Sequence, residues 1–161
     1  VSVGRYFTEM LDPTMTWDDV AEMIELWGGE FCLKGVMSQE DAIKAKELGA
    51  TGIVVSNHGG RQLDGSRAPF DQLQEIVDAV GDDIDVIMDS GIQRGSHVLK
   101  ALAAGAKAVG GGRFYLYALA AAGQAGVERA LEIMRTEIER NMRLMGVSKI
   151  SELNRNHLRY R

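Results

Sequence analysis

Residues 54–65 have the sequence VVSNHGGRQLDG, and this stretch predicts a buried strand that passes directly into a polar loop. Two β-branched residues end an apolar run, which favours a strand, and two glycines in the loop allow the backbone to turn sharply. His58 and Arg61 lie on that loop. A strand that ends in such a loop is how α/β folds bring chemical groups to one edge of a sheet.

Outward from this stretch, short apolar runs alternate with amphipathic helical patterns. Helices are predicted after the caps Thr16 and Ser38, after Pro69, through 98–103, over 114–122, and from there to a stop at Gly146. Residues 1–12 carry little pattern. The predicted strands are 31–36, 52–55, 84–88 and a fourth that begins at 108. Four strands that each precede a helix predict an α/β fold with a parallel sheet and right-handed crossovers, in one domain over residues 1–161.

Composition excludes several classes of function. The chain has 161 residues, of which 45% are hydrophobic and 25% charged, and its net charge of −5 argues against nucleic acid as the main partner. The single cysteine, Cys32, lies in an apolar run, so we expect a reduced, buried thiol in a cytoplasmic protein. No apolar run is long enough to span a bilayer and no secretory signal is expected. The first residue is Val1 rather than Met, which suggests an upstream part.

Candidate catalytic groups lie where the predicted strands end. The His58 imidazole can accept a proton near neutral pH, and the Arg61 guanidinium can bind a carboxylate with two hydrogen bonds. A loop with a satisfied histidine and a solvated arginine is the structural alternative. Lys34 is either a group that stabilises an anion or a surface amine, and Asp89 either accepts hydrogen bonds from a polyol or caps a helix.

A phosphate site is predicted at the last strand. The sequence GGGR at 110–113 follows that strand and opens a helix, so backbone N–H groups and one guanidinium can bind phosphate together. Gly91 lies on the preceding loop, and the corresponding loops of a (β/α)8 barrel form its usual phosphate site. His97 and His157 have no convergent partners and are interpreted as structural or exposed; we expect no metal site.

These motifs, in this order, resemble the FMN-dependent 2-hydroxy-acid dehydrogenases and oxidases. SNHGGRQLDG at 56–65 is specific to that family, while LKG at 33–35, DSGIQRG at 89–95 and GR at 112–113 are individually weak but correctly ordered. The sequence LYALAAAGQAGVERALE resembles the L-lactate dehydrogenase branch. The similarity covers the chain from Asp12 onward.

The resemblance implies a role for each candidate residue. His58 is the base that takes a proton from the substrate, and Arg61 holds the substrate carboxylate. Lys34 lies near N1 and O2 of the flavin, and Ser56 contacts the flavin. The ribityl and phosphate groups of FMN are held by the remaining candidates, which are Asp89, Ser90, Gly91, Gln93, Arg94, Gly112 and Arg113.

Two residues depart from the family pattern, and one half of the barrel has no counterpart. Gln93 replaces a usual arginine, which leaves Arg94 and Arg113 to compensate and predicts weaker FMN binding; Phe114 replaces a frequent proline, with little consequence expected. A (β/α)8 barrel takes about 250 residues, and the four βα units here resemble units five to eight, followed by C-terminal helices. The tyrosines and the aspartate of the family's amino-terminal half have no match.

The sequence therefore leads to two hypotheses of different classes. In the first, the chain belongs to a flavoenzyme that oxidises an (S)-2-hydroxy acid, L-lactate to pyruvate, with the isolated chain nearly inactive. In the second, it is an inactive half-barrel that associates with itself and at most binds FMN or another phosphate ligand. Another phosphate-binding flavin or nucleotide enzyme is disfavoured by the pairing of His58 with Arg61. We expect a homo-oligomer, in the cytoplasm or peripheral at the inner membrane, completed by the missing half or a second copy; the electron acceptor is left open.

Overall fold

The structure, a computed structural model, describes residues 3–10 and 12–160. Its strands are β1 (Cys32–Val36), β2 (Gly52–Val55), β3 (Asp85–Met88) and β4 (Ala108–Val109). Its helices are α1 (Val3–Met10), α2 (Trp17–Trp27), α3 (Gln39–Glu47), α4 (Pro69–Val80), α5 (Gly95–Ala103) and α6 (Gly112–Met145). Short 3₁₀ turns occupy His58–Gly60, Ile150–Glu152 and Arg155–His157.

The four strands form one parallel sheet in the order β1-β2-β3-β4. A helix follows each strand, so the predicted α/β fold with a parallel sheet is confirmed. Parallel pairing places all four carboxyl ends at one edge, where the loops carrying the predicted site residues begin. Lys34 lies two residues before the end of β1. The register between β1 and β2 shifts between Lys34 and Val36, around Gly35, whose φ is +99°.

One face of the sheet packs on the helices and forms the hydrophobic core. Ile53 and Val55 of β2 and Leu73 and Ile76 of α4 are completely buried there. Side chains alternate between the two faces of a strand, so the neighbours of these core residues point to the opposite, open face.

This alternation corrects the expectation that Cys32 is buried. Leu33 packs against the core, whereas Cys32 lies on the open face of the edge strand and is exposed, with its Sγ beside Gly52. An apolar run in the sequence does not tell which of two neighbouring residues faces the core on an edge strand. Partial burial still raises the pKa of the Cys32 thiol, and the nearby Asp85 carboxylate adds to the effect.

The predicted helix starts are confirmed by their caps. The Asp19 carboxylate accepts hydrogen bonds from both the N–H and the hydroxyl of Thr16, and Ser38 accepts one from the N–H of Asp41. Pro69 occupies the first turn of α4, where its missing N–H costs nothing.

Two helical predictions need correction. α1 lies in the segment for which little pattern was expected. The last two predicted helices are recorded as one element, α6, which begins two residues earlier than expected but is interrupted by non-helical backbone at Ala122 and Gly123. None of the helices in the described ranges is both long and apolar enough to cross a membrane.

The buried face of α4 should dominate the stability of the fold. Leu73 is fully buried, so Leu73→Ala should lower the free energy of unfolding by about 2–5 kcal/mol, the cost of lost apolar burial plus a cavity. Leu26→Ala is the matched control, because that side chain is 86% exposed and its truncation should change stability by less than about 0.5 kcal/mol. Urea unfolding measures both, and equal effects would contradict the assigned core.

Candidate active site at the strand ends

A cavity of about 290 Å³ opens at the carboxyl ends of the strands. Nine of the eleven predicted site residues line it, namely Lys34, His58, Arg61, Asp89, Ser90, Gly91, Gln93, Gly112 and Arg113. A larger groove of about 360 Å³ lies between α4, α5, α6 and the C-terminal segment, but its lining is mainly apolar. The chemistry-bearing side chains therefore converge on the smaller cavity, and Ser56 and Arg94 are the two predicted residues outside its lining.

Lys34 is the centre of a hydrogen-bonded network that crosses three strands. Its Nζ donates to Ser56 Oγ at 3.0 Å and forms an ion pair with Asp89 Oδ2 at 3.0 Å. Ser56 is buried directly after β2, and Asp89 follows β3. Lys34 is thus held among the strand ends and is not a freely solvated surface amine.

Asp89 is held in its charged form by this network. Partial burial alone raises the pKa of its carboxyl, but hydrogen bonds with Ser56, Lys34 and Ser90 outweigh that effect and bring the pKa below its usual value. The Ser90 hydroxyl donates to Asp89 Oδ1 at 2.9 Å. The Asp89 carboxylate therefore stays ionised beside Lys34 at neutral pH.

The loop that carries His58 has an unusual backbone. His58, Gly59 and Gly60 have φ values of +60°, +71° and +72°, a region that a residue with a Cβ seldom adopts. The N–H of His58 donates to Ser56 Oγ at 3.1 Å, and Asn57 Oδ1 accepts from the N–H of Gly60 at 3.2 Å. These bonds hold a strained turn that exposes the imidazole, as sites often do.

The three loops after β2, β3 and β4 are tied to one another. The Gly59 N–H donates to Ser90 Oγ at 2.9 Å, and Arg113 Nη2 donates to the Gly59 carbonyl at 2.7 Å. A Cβ at Gly59 would lie 2.6 Å from Arg113 Nη2 and would displace the end of that side chain, and the φ of +71° separately favours glycine. The side chains of His58 and Arg61 have no hydrogen-bond partner within residues 3–10 and 12–160, and both face the cavity.

The opposite side of the cavity can accept a phosphate-bearing group. Nothing lies within 4 Å of the position a Cβ would take on Gly91 or Gly112, so both backbones face open space. α6 begins at Gly112, where free N–H groups and the Arg113 guanidinium favour an anion. These features fit the phosphate of a nucleotide-type cofactor such as FMN.

His97 supports this side of the cavity in a way that sequence reasoning did not resolve. Its Nδ1 lies 3.1 Å from the Gly91 carbonyl oxygen and 3.3 Å from the Gln93 nitrogen. This matches a structural histidine, here one that holds the loop from 91 to 93. The spacing of four residues between Gln93 and His97 is the sequence feature that could have indicated this contact.

The structure does not bring Arg94 into the cavity. Arg94 is expected from the sequence to compensate for Gln93, and in the structure its guanidinium binds the Glu137 carboxylate, with Nη2–Oε1 at 2.6 Å and Nε–Oε1 at 2.8 Å. That carboxylate neutralises the guanidinium. Arg113 is therefore the cation that faces the phosphate side.

Because the pKa of Asp89 is lowered in the folded protein, Asp89 should contribute stability that is present above the unfolded value, about 3.9, and lost as the pH falls through the folded value. Asp89→Asn should therefore lower the free energy of unfolding at pH 7. Its difference from wild type should become smaller below about pH 4. Urea unfolding from pH 7 to pH 3 measures it. A difference that grows on acidification would contradict the network; Asp83→Asn, in an exposed pair with Lys46, is the control.

Comparisons with known proteins agree with this geometry. The family described as FMN-dependent dehydrogenase matches residues 1–160. "L-lactate dehydrogenase (cytochrome)" of Saccharomyces cerevisiae is 48% identical over 155 residues, which cover 93% of this chain and 26% of that protein. "Pre-mycofactocin synthase" of Mycobacterium tuberculosis is 48% identical over 150 residues, covering 93% of this chain and 38% of that protein.

The fold matches a solved member of the same group. The crystal structure of the monotopic membrane protein (S)-mandelate dehydrogenase superposes with a TM-score of 0.91 at 36% identity, over 98% of this chain and 42% of that one. The four βα units thus correspond to part of the (β/α)8 barrel of such enzymes, and the chain spans between about a quarter and two fifths of these proteins' length. Because this family matches nearly every residue of the chain, the chain belongs to the FMN-dependent dehydrogenases.

Proposed function

We propose that the cavity at the strand ends binds FMN and a 2-hydroxy acid, and that the protein oxidises the acid, L-lactate to pyruvate, with His58 as base. The observation that carries this proposal is that His58, Arg61, Lys34 and the glycines Gly91 and Gly112 line one cavity in a chain of this family. The yeast relative named for L-lactate supports that substrate, and the mandelate enzyme supports the wider class of 2-hydroxy acids.

His58 and Arg61 divide the work on the substrate. Arg61 is exposed and has no internal ion pair among the described residues, so its guanidinium can hold the substrate carboxylate with two hydrogen bonds. His58, three residues earlier, then accepts the proton of the substrate hydroxyl on its imidazole, while the hydrogen on the carbon that bears this hydroxyl leaves as hydride. FMN, when bound, accepts the two electrons that the substrate loses.

The remaining residues hold the cofactor. We assign the phosphate to the Gly91–Gln93 and Gly112–Arg113 segments, where open backbone and one cation meet. Ser90 and Asp89 offer a hydroxyl and a carboxylate to the ribityl hydroxyls. Lys34, fixed by Ser56 and Asp89, places a positive charge where the reduced ring carries negative charge. Because Gln93 is neutral, Arg113 supplies the cation for the phosphate.

The geometry of His58 also predicts a slow reaction in this chain. Among the described residues no carboxylate contacts the imidazole, and a histidine base gains rate from a carboxylate that orients it and stabilises its charged form. The chain also spans at most about two fifths of the relatives' length. We infer that further segments complete the site.

Titration with FMN followed by L-lactate under anaerobic conditions tests the proposal. Quenching of flavin fluorescence should report binding, and prolonged incubation with excess L-lactate should bleach the bound flavin slowly. His58→Gln should slow bleaching by about 10²-fold or more with FMN affinity retained, because the proton acceptor is lost. Arg61→Lys should instead mainly raise the lactate concentration for half-maximal rate.

His157→Gln provides the matched control, since that histidine lies in the C-terminal segment away from the cavity and should leave both readouts unchanged. A chain that binds no FMN, or a bound flavin that L-lactate never bleaches, would overturn the proposed function. Bleaching that survives in His58→Gln would overturn the role of His58 alone.

The exposed surfaces favour a second candidate, an inactive half-barrel that associates with itself. β1 and β4 each pair on one side within the described sheet, and unpaired strand edges promote association. The first part of α6 also exposes a cluster of large side chains, Tyr115, Leu116, Tyr117 and Leu119, each about half or more exposed. Apolar clusters of this kind commonly mark interfaces.

Size-exclusion chromatography with light scattering tests association. We expect a dimer or larger species, and Leu119→Glu should shift it toward monomer by placing a charge in the exposed cluster. Leu63→Glu, on an exposed loop position, is the control and should leave the mass unchanged. A wild-type chain that stays monomeric at high concentration would refute self-association.

A further inference from the structure

Glu137 is a buried acid far along the chain from the cavity residues. It lies in the second part of α6 and is 8% exposed, the one charged residue among the three buried polar residues of the described chain. A buried carboxylate is costly unless it is paired and hydrogen-bonded, so its surroundings must compensate for it.

Those surroundings are the start of α5. Glu137 Oε1 accepts from Arg94 Nη2 at 2.6 Å and Nε at 2.8 Å, and Oε2 accepts from the backbone N–H of Gly95 at 2.8 Å. The two carboxylate oxygens of Glu137 thus accept hydrogen bonds from two consecutive residues, Arg94 and Gly95. The charge of Glu137 also compensates the positive end of α5.

Helices α5 and α6 approach each other so closely that a residue with a side chain does not fit at position 95. A Cβ on Gly95 would lie 2.6 Å from Glu137 Cβ and 2.6 Å from the Ile138 nitrogen. The carboxylate can therefore reach the Gly95 N–H because position 95 lacks a side chain. Helix α6 holds the first residue of α5 at one fixed point.

That point is the downstream end of the loop on the phosphate side of the cavity. Gly91, Ile92 and Gln93 line the cavity, and Arg94 and Gly95 follow at once. Upstream, the loop is anchored by Asp89 through its ion pair with Lys34. The loop therefore has an anchor at each end, with Glu137 at the downstream end, and His97 contacts Gly91 and Gln93 between them.

We propose that Glu137, acting through Arg94 and Gly95, is a positioning residue that sets the shape of the loop from 90 to 93 for phosphate. Glu137 does not line the cavity, and its effect on the phosphate is exerted through the loop. This inference rests on the proposed function in so far as the phosphate is that of FMN.

Comparison of FMN with riboflavin isolates the phosphate. Glu137→Gln keeps the size of the side chain but replaces one acceptor by a donor and leaves Arg94 uncompensated. The affinity for FMN should fall roughly tenfold while the affinity for riboflavin, which lacks the phosphate, changes little. A merely structural role would lower both affinities together. Arg94→Gln is the second variant; it removes the same ion pair from the side that is 64% exposed and leaves Glu137 its hydrogen bond from the Gly95 N–H.

Glu139→Gln is the matched control. Glu139 lies on the same helix in exposed pairs with Arg135 and Arg143, so its loss should leave the FMN to riboflavin ratio unchanged. An unchanged ratio in Glu137→Gln and Arg94→Gln, with wild-type FMN binding intact, would overturn this inference and leave the proposed function standing.

Hydrogen exchange tests the anchor without any cofactor. Backbone amides of residues 91–96 should exchange at least several-fold faster in Glu137→Gln than in wild type, and those of residues 52–55 in β2 should not. Equal exchange at 91–96 in the two proteins would overturn the inference even if FMN failed to bind, whereas failure of FMN to bind wild type would overturn the proposed function.

Discussion

The ion pair between Lys34 and Asp89 passes over the end of β2 and joins β1 to the loop after β3. It forms because parallel pairing brings three strand ends to the same edge, within reach of one lysine side chain. Buried Ser56, between them, accepts from Lys34 and from the His58 backbone, so the same cluster that fixes the lysine also fixes the start of the histidine loop. The other parts of the site are built on this cluster.

The charges at the strand ends fall into two groups. Lys34 is paired with Asp89 and Arg94 with Glu137, so each of these two cations has a carboxylate partner within the protein. Arg61 and Arg113 have no carboxylate partner within the described ranges, and both face the cavity. These two cations lie on loops that the hydrogen bond from Arg113 to the Gly59 carbonyl brings together.

The sequence was sufficient for the parts of the structure that depend on local pattern. The strands were predicted because apolar runs of four to six residues were bounded by turn residues, and Ser38 and Pro69 marked helix starts through local hydrogen bonding and backbone restriction. The grouping of site residues followed from the strand order alone. The FMN-dependent dehydrogenase family was recognisable from SNHGGRQLDG, and the comparison over residues 1–160 confirms it.

Features that depend on tertiary contact were not predictable in this way. Glu137 meets Arg94 across 43 residues of chain, and no periodicity reveals such a pair. Cys32 is exposed because it lies on the open face of the sheet, and its apolar sequence neighbours give no sign of this. The positive φ of His58 depends on Ser56 and Ser90 holding the turn, and a histidine gives no local signal for it.

A crystal structure of the chain grown with FMN tests the central claim most directly. The account predicts the FMN phosphate between the Gly91–Gln93 loop and the start of α6, beside Arg113, with the ring toward Lys34 and His58. Two results would contradict it: flavin bound in the apolar groove between α4, α5, α6 and the C-terminal segment, or a phosphate bound to Arg94 after Arg94 has separated from Glu137.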